Sequence, residues 1–125
     1  MKISKTDASG SVAGPSFSRR FEKFDGWTIT FGEFTAHDDQ AALLAGLPDD
    51  ACQAVHLGHV LHGKLIFHYK DGTTDVAEAG QAYVTRPGHT PELFPDTEVV
   101  EFTRTEELEA TLAQMMRNMK TAADG

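Results

Sequence analysis

The sequence predicts an all-β fold, an antiparallel sandwich or barrel of short strands, followed by one α-helix. Three observations carry this. Apolar runs of strand length recur between Trp27 and Phe102 with turns at close spacing. Lys70-Asp-Gly72 lies between Leu65-Ile-Phe-His-Tyr69 and Thr73–Glu78, and Asp-Gly between alternating segments marks a tight hairpin. After Thr103 the period changes, with Leu108, Leu112, Met115 or Met116, and Met119 recurring at helical spacing.

Taken in order, residues 1–18 form an N-terminal arm. Ser4 to Ser18 mix Ser, Gly, Ala and Pro with few large apolar groups, so the arm is expected to be extended or loosely held, tacked on by Phe17 and Phe21. Residues 19–104 form the β domain. Trp27-Thr-Ile-Thr-Phe31 alternates large apolar residues with Thr, the period of a half-buried strand, and a bulge after Gly32 accounts for Phe34. Ala41 to Ala45 is a turn of helix or a loop before Gly46-Leu-Pro48. Further strands follow at Leu65–Tyr69, Thr73–Glu78, Gln81–Thr85, Glu92–Phe94 and Glu98–Phe102. Thr103-Arg-Thr-Glu106 reads as a capping box opening a helix of about 15 residues within 105–125.

A chain of 125 residues suits one domain, and no fixed-period repeat suggests a solenoid. With 19 acidic against 11 basic residues and a net charge of −8, phosphate backbones are repelled, which sets nucleic acid aside. No apolar run reaches signal-peptide or membrane-span length, so the expectation is a soluble, cytoplasmic protein without a membrane partner. The single cysteine, Cys52, makes no intrachain disulfide, consistent with a reducing compartment.

Chemistry concentrates between Cys52 and His89, which hold the cysteine and five of the six histidines. His56, His59 and His62 are three apart. Gly58 and Gly63 argue against a helix, and on a strand His56 faces one side and His59 the other, so the two do not share a metal. His62 falls at the strand end, His68 alternates against the apolar Leu65, Phe67 and Tyr69, and His37 sits in a polar loop. The candidates that remain are His56, His89 and Cys52.

The segments Val60-Leu-His-Gly-Lys-Leu, Tyr69-Lys-Asp-Gly, Glu78-Ala-Gly-Gln-Ala-Tyr-Val and Arg86-Pro-Gly-His89 resemble the cupin superfamily in its small single-domain form. Aligned on Gly63, the first cupin motif places His56 at the usual glutamate and Cys52 and Asp50 at the two usual histidines. In the second motif Gly80 and Gly88 match, Arg86 stands at the proline, and Pro91 stands at the histidine, with His89 two residues early. The block Gly46-Leu-Pro-Asp-Asp-x-Cys52-Gln, with His56, Pro-Gly-His-Thr-Pro and Thr-Glu-Glu-Leu, also resembles uncharacterised bacterial cupins. In those a second cysteine is expected where Ala54 stands here and a tyrosine where His59 stands.

The resemblance implies a double-stranded β-helix, the jelly-roll barrel, with an interior pocket lined by Trp27, Phe31, Tyr83, Phe94 and Phe102. His56, His89 and Cys52 would converge there, with Asp50 an alternative for completing the set. Imidazole and thiolate suit a divalent transition metal such as Zn, Fe, Ni, Co or Mn. Two readings stand. One is a metal-dependent enzyme for small molecules, of oxygenase, isomerase or decarboxylase type. The other is a metal-free cupin that binds a small ligand or serves as a dimeric structural module. Leu57, Leu61 and the helix stripe lead to the expectation of a homodimer.

Overall fold

The computed structural model describes residues 1–124. Its elements in order are β1 (Gly10–Ala13), β2 (Phe17–Phe24), β3 (Trp27–Phe34), β4 (Asp38–Asp39), α1 (Ala41–Leu44), β5 (His56–His62), β6 (Lys64–Tyr69), β7 (Thr74–Glu78), β8 (Ala82–Val84), β9 (His89–Leu93), β10 (Thr97–Arg104) and α2 (Thr105–Asp124). They form two antiparallel sheets, one ordered β1-β2-β3-β10-β5-β8 and the other β4-β9-β6-β7. Phe34, Val60, Leu65, Phe67, Leu93 and Val99 fill the space between the sheets. This is a jelly-roll barrel.

Three expectations are corrected here. Residues 1–18 were expected to be extended or loosely held; the chain is extended there but held, since Gly10–Ala13 pairs with β2 as the edge strand of the larger sheet, and Ala8 and Phe17 are buried. An edge strand is held by backbone hydrogen bonds, which a composition poor in apolar residues does not reveal. In β3 the inward residues are Thr28, Thr30, Gly32 and Phe34, while Trp27, Ile29 and Phe31 lie on the other face. Pairing with β2 and β10 is continuous through Gly32, so there is no bulge at that point, and Phe34 is in phase with the threonines. The register shift lies instead between Glu98 and Val99, where β10 meets β5.

The far end of the chain closes the barrel. Strand β10 runs to Arg104, so Thr103 faces inward in the sheet and does not cap α2. Helix α2 turns Leu108, Thr111 and Met115 inward, and Met115 packs with Leu44 of α1 and Cys52. Asn118 Nδ2 donates to the carbonyl oxygens of Leu43 at 2.7 Å and Ala45 at 2.8 Å, meeting acceptors that the end of α1 leaves open. The two helices thus lie as one cover over a single mouth of the barrel. No helix among the described residues is long and apolar enough to cross a membrane.

Candidate metal centre

Backbone pairing brings the candidates together. Cys52 N donates to His89 O at 2.8 Å and His89 N donates to Cys52 O at 3.2 Å, a bridge that sets the two residues side by side. Four residues further on, His56 opens β5. Its N–H donates to Thr85 Oγ1 at 2.8 Å, and Thr85 N donates back to His56 O at 3.0 Å. Strand parity sends His56 inward and leaves His59 half-buried on the outer face. His62 and His68 are exposed.

One ligand atom each from Cys52, His56 and His89 lies within 4.8 Å of the others, and all three residues are buried. Cys52 Sγ stands 3.7 Å from His56 Nε2. Tetrahedral bonds of about 2.3 Å to sulfur and about 2.0 Å to nitrogen place two such donors roughly 3.5 Å apart, so this separation fits one shared ion. The imidazoles are held from behind. His89 Nδ1 donates to the Arg86 carbonyl at 2.8 Å, so Nε2 is the nitrogen available to a metal. His56 Nδ1 meets Thr103 Oγ1 at 2.6 Å, with Glu101 Oε2 behind it at 3.8 Å. Holding the remote ring nitrogen in this way fixes the ring orientation that a metal ligand needs.

A buried charge network supports the site. Glu101 accepts from the Tyr83 hydroxyl at 2.6 Å and pairs with Arg19 Nη1 at 3.6 Å. Burial pushes the Glu101 carboxyl up, but His56 and Arg19 outweigh it and hold the pKa below the usual value. Burial and the adjacent Glu101 both push the Tyr83 phenol well up, so it remains a donor. For Cys52, burial raises the thiol, yet hydrogen bonding and charge from His56 and His89 win and lower it to about 5, giving a thiolate at neutral pH. His56 is raised despite burial, through the charge on Glu101 and its bond to Cys52.

The centre opens on a cavity of about 40 Å³, lined on one side by Leu108, Thr111 and Met115 of α2. The other pocket residues expected from sequence lie elsewhere or do not reach this cavity. Asp50 is exposed and accepts from Gly46 N at 2.9 Å, closing its own loop. Trp27 lies on the outer side of β3 with the Arg104 guanidinium 4.5 Å over its ring. Phe94 sits under Lys64 Nζ at 4.6 Å, and Phe102 is exposed. Phe31 follows Trp27 on the outer face, and Tyr83 points inward at Glu101 without lining the cavity. Sequence reasoning missed Arg19, Gln40, Glu101 and Thr103. For the last two a signal existed, because they alternate in phase with the buried Val99 along β10.

Solved structures share this architecture. A protein of unknown function from Rhizobium leguminosarum superposes with a TM-score of 0.58 at 19% identity, over 82% of this chain and 93% of its own. An RmlC-like cupin from Shewanella frigidimarina gives 0.57 at 13% identity, over 81% of this chain and 86% of its own. The chain has a cupin fold. Fe(II)-HppE, solved with the alternative substrate (S)-1-HPP, gives 0.58 at 6% identity over 82% of this chain and 60% of its own. By sequence the chain matches no protein-family model and no curated protein. These likenesses establish the barrel and leave its chemistry to its own residues.

Proposed function

We propose that this cupin is a metal-dependent protein that processes a small molecule, with Cys52, His56 and His89 holding one divalent transition metal. The observation that carries the reading is the buried convergence of a thiolate and two imidazoles, each ring anchored through its remote nitrogen. Fe, Zn, Ni, Co and Mn are the candidates, and the fold likeness to Fe(II)-HppE keeps iron among them. Bound there, an ion with three protein ligands supplies Lewis-acid or redox activation at its open positions. The chain's own contributions are the orientation of His56 by Thr103 and Glu101, the thiolate character of Cys52, and the apolar wall that α2 adds to the cavity.

A metal-free cupin that binds a small ligand, or serves as a dimeric module, is the alternative. It is favoured by Cys52 Sγ already having Thr111 Oγ1 at 3.5 Å as well as His56. Cobalt(II) added to untagged protein tests the choice. One equivalent is expected to produce thiolate-to-cobalt charge-transfer absorption in the near ultraviolet that Cys52→Ser removes. Octahedral, purely surface-bound cobalt with no such absorption supports the metal-free alternative.

We further infer that the cupin pairs through the outer face of its larger sheet. Val84, Leu57 and Phe102 are exposed and adjacent in register across β8, β5 and β10. An exposed apolar row of this kind marks an interaction surface.

A further inference from the structure

Among the described residues, helix α2 fully buries one polar side chain, that of Thr111, which is 5% exposed. It falls at helical spacing between Leu108, Leu112 and Met115, and all four line the cavity beside the candidate ligands. A hydroxyl in an apolar stripe is tolerated only with a partner. Threonine in a helix commonly finds one in the carbonyl a turn back, and Thr121 of the same helix donates in this way to Arg117 O at 3.0 Å. Thr111 does not. Among the described residues its hydroxyl has one side-chain partner, Cys52 Sγ at 3.5 Å, 59 positions away in the chain.

The direction of that bond follows from the sulfur. As a metal ligand Cys52 is a thiolate, and in the metal-free protein its pKa of about 5 gives the same form at neutral pH. A thiolate has no proton to give, so Thr111 Oγ1–H is the donor. The separation is longer than that between two oxygens because sulfur is the larger atom, and a sulfur has lone pairs enough to accept this bond and ligate an ion together. The other polar ties of α2 go elsewhere, Glu107 to Val55 N at 3.1 Å and Asn118 to the end of α1. Thr111 is thus the residue through which α2 reaches the centre by a hydrogen bond.

Resting on the metal-centre reading, we propose that Thr111 is a positioning residue of that centre, whose hydroxyl donates to Cys52 Sγ, orients the sulfur and draws charge away from its bond to the ion. Hydrogen bonds to a ligating sulfur tune the metal in this way, and the ion becomes the stronger Lewis acid for it. Coordination and the hydrogen bond are the whole of the interaction. A packing role alone would be met by valine, which has the same shape with a methyl group in place of the hydroxyl.

The test is the absorption spectrum of untagged, full-length protein loaded with cobalt(II) at pH 7.5. Thr111→Val removes the donor and keeps the shape, so it should fold and bind cobalt. Its thiolate-to-cobalt band should move to longer wavelength, because sulfur electrons no longer held by a hydrogen bond transfer more easily. Thr111→Ala, a second form without the hydroxyl, should move it in the same direction. Thr111→Ser restores the donor and should return the band to the wild-type position. Leu112→Ala loosens the packing of the same helix without touching the sulfur, and should lower Tm while the band stays in place. Thr111→Val and Thr111→Ala bands at the wild-type wavelength overturn the proposal and leave the metal centre standing. A displacement that Thr111→Ser fails to reverse, or that Leu112→Ala reproduces, overturns it as well, since the seating of the helix and not the hydroxyl is then the cause. A wild-type protein with no thiolate-to-cobalt band removes the metal-centre reading and this proposal with it.

Discussion

Replacing Gly58 with alanine attacks the support of the site without touching a candidate ligand. Gly58 faces Gly-sized space on β5, where a Cβ would lie 2.2 Å from Cζ, 2.5 Å from Cε2 and 2.5 Å from Oη of Tyr83. Ordinary carbon contacts are about 3.5–4.0 Å, so the ring must move by more than an ångström. It has little freedom to do so, because it packs on Phe67 with ring centroids 5.0 Å apart and its hydroxyl is committed to Glu101 at 2.6 Å. Overpacking costs about 1–3 kcal/mol, and loss of a hydrogen bond to a charged group costs about 1.5–3 kcal/mol. The better strand propensity of alanine returns about 0.5–1 kcal/mol. The net expectation is a loss of about 2–5 kcal/mol. Urea unfolding should show the midpoint falling by about 1–2 M with an unchanged slope. In a Tyr83→Val background the same substitution should be neutral or mildly stabilising. A Gly58→Ala protein within about 0.5 kcal/mol of wild type, or a penalty that persists without the Tyr83 ring, refutes the packing argument.

Two further outcomes follow from the same structure. In metal-free protein the Cys52 pKa is depressed to about 5, so its contribution is present above the unfolded thiol value and is lost as pH falls through the folded one. His56 is raised, so its contribution is complete below its ordinary value of about 6.5 and adds little slope between about pH 6 and pH 5, where the Cys52 contribution is being lost. Stability should then fall by about 1.4 kcal/mol per pH unit across that window in chemical unfolding, and Cys52→Ser should flatten the profile. For the proposed dimer, light scattering at tens of micromolar should report twice the chain mass, and Val84→Lys with Leu57→Glu should return a folded monomer; a monomeric wild type rules the interface out.

How much of this was legible beforehand depends on which physical signal each residue leaves in the sequence. The parity of β5 is strong because one slip in register would turn His56 out and Leu57 in, and the structure has His56 inward and His59 outward. The same rule applied to β3 gave the wrong face. Trp27, Ile29 and Phe31 look like core, but the interior beside His56 and Glu101 is polar and takes Thr28 and Thr30. Glu101 was readable only by trusting phase over polarity, since a carboxylate in step with Val99 is inside whatever its chemistry. Arg19 and Gln40 left no such trace. Arg19 looked like half of a basic pair, and Gln40 is placed by its bond to Asp38, whose carboxylate is itself held by Ser16 on a distant strand, a contact that leaves no local pattern. Strand β1 was hidden for a similar reason, because pairing with Ser18–Phe21 is a backbone matter.

The central claim is that Cys52, His56 and His89 hold one transition metal in the folded state. Thermal unfolding of untagged protein with added Zn, Fe(II), Ni, Co or Mn tests it most directly. An ion bound only by the folded chain stabilises by about 2.7 kcal/mol when free metal stands a hundredfold above Kd. For a domain of this size that is a rise of roughly 10 °C in Tm. At pH 7.5 the account predicts that rise for wild type, His59→Ala and His68→Ala, its loss in His56→Ala and His89→Ala, and its decline as pH falls, setting in above the ordinary histidine value of about 6.5 because Glu101 and Cys52 raise His56 and protons compete for it. No shift with any metal, or a shift that His56→Ala keeps and His59→Ala loses, contradicts it.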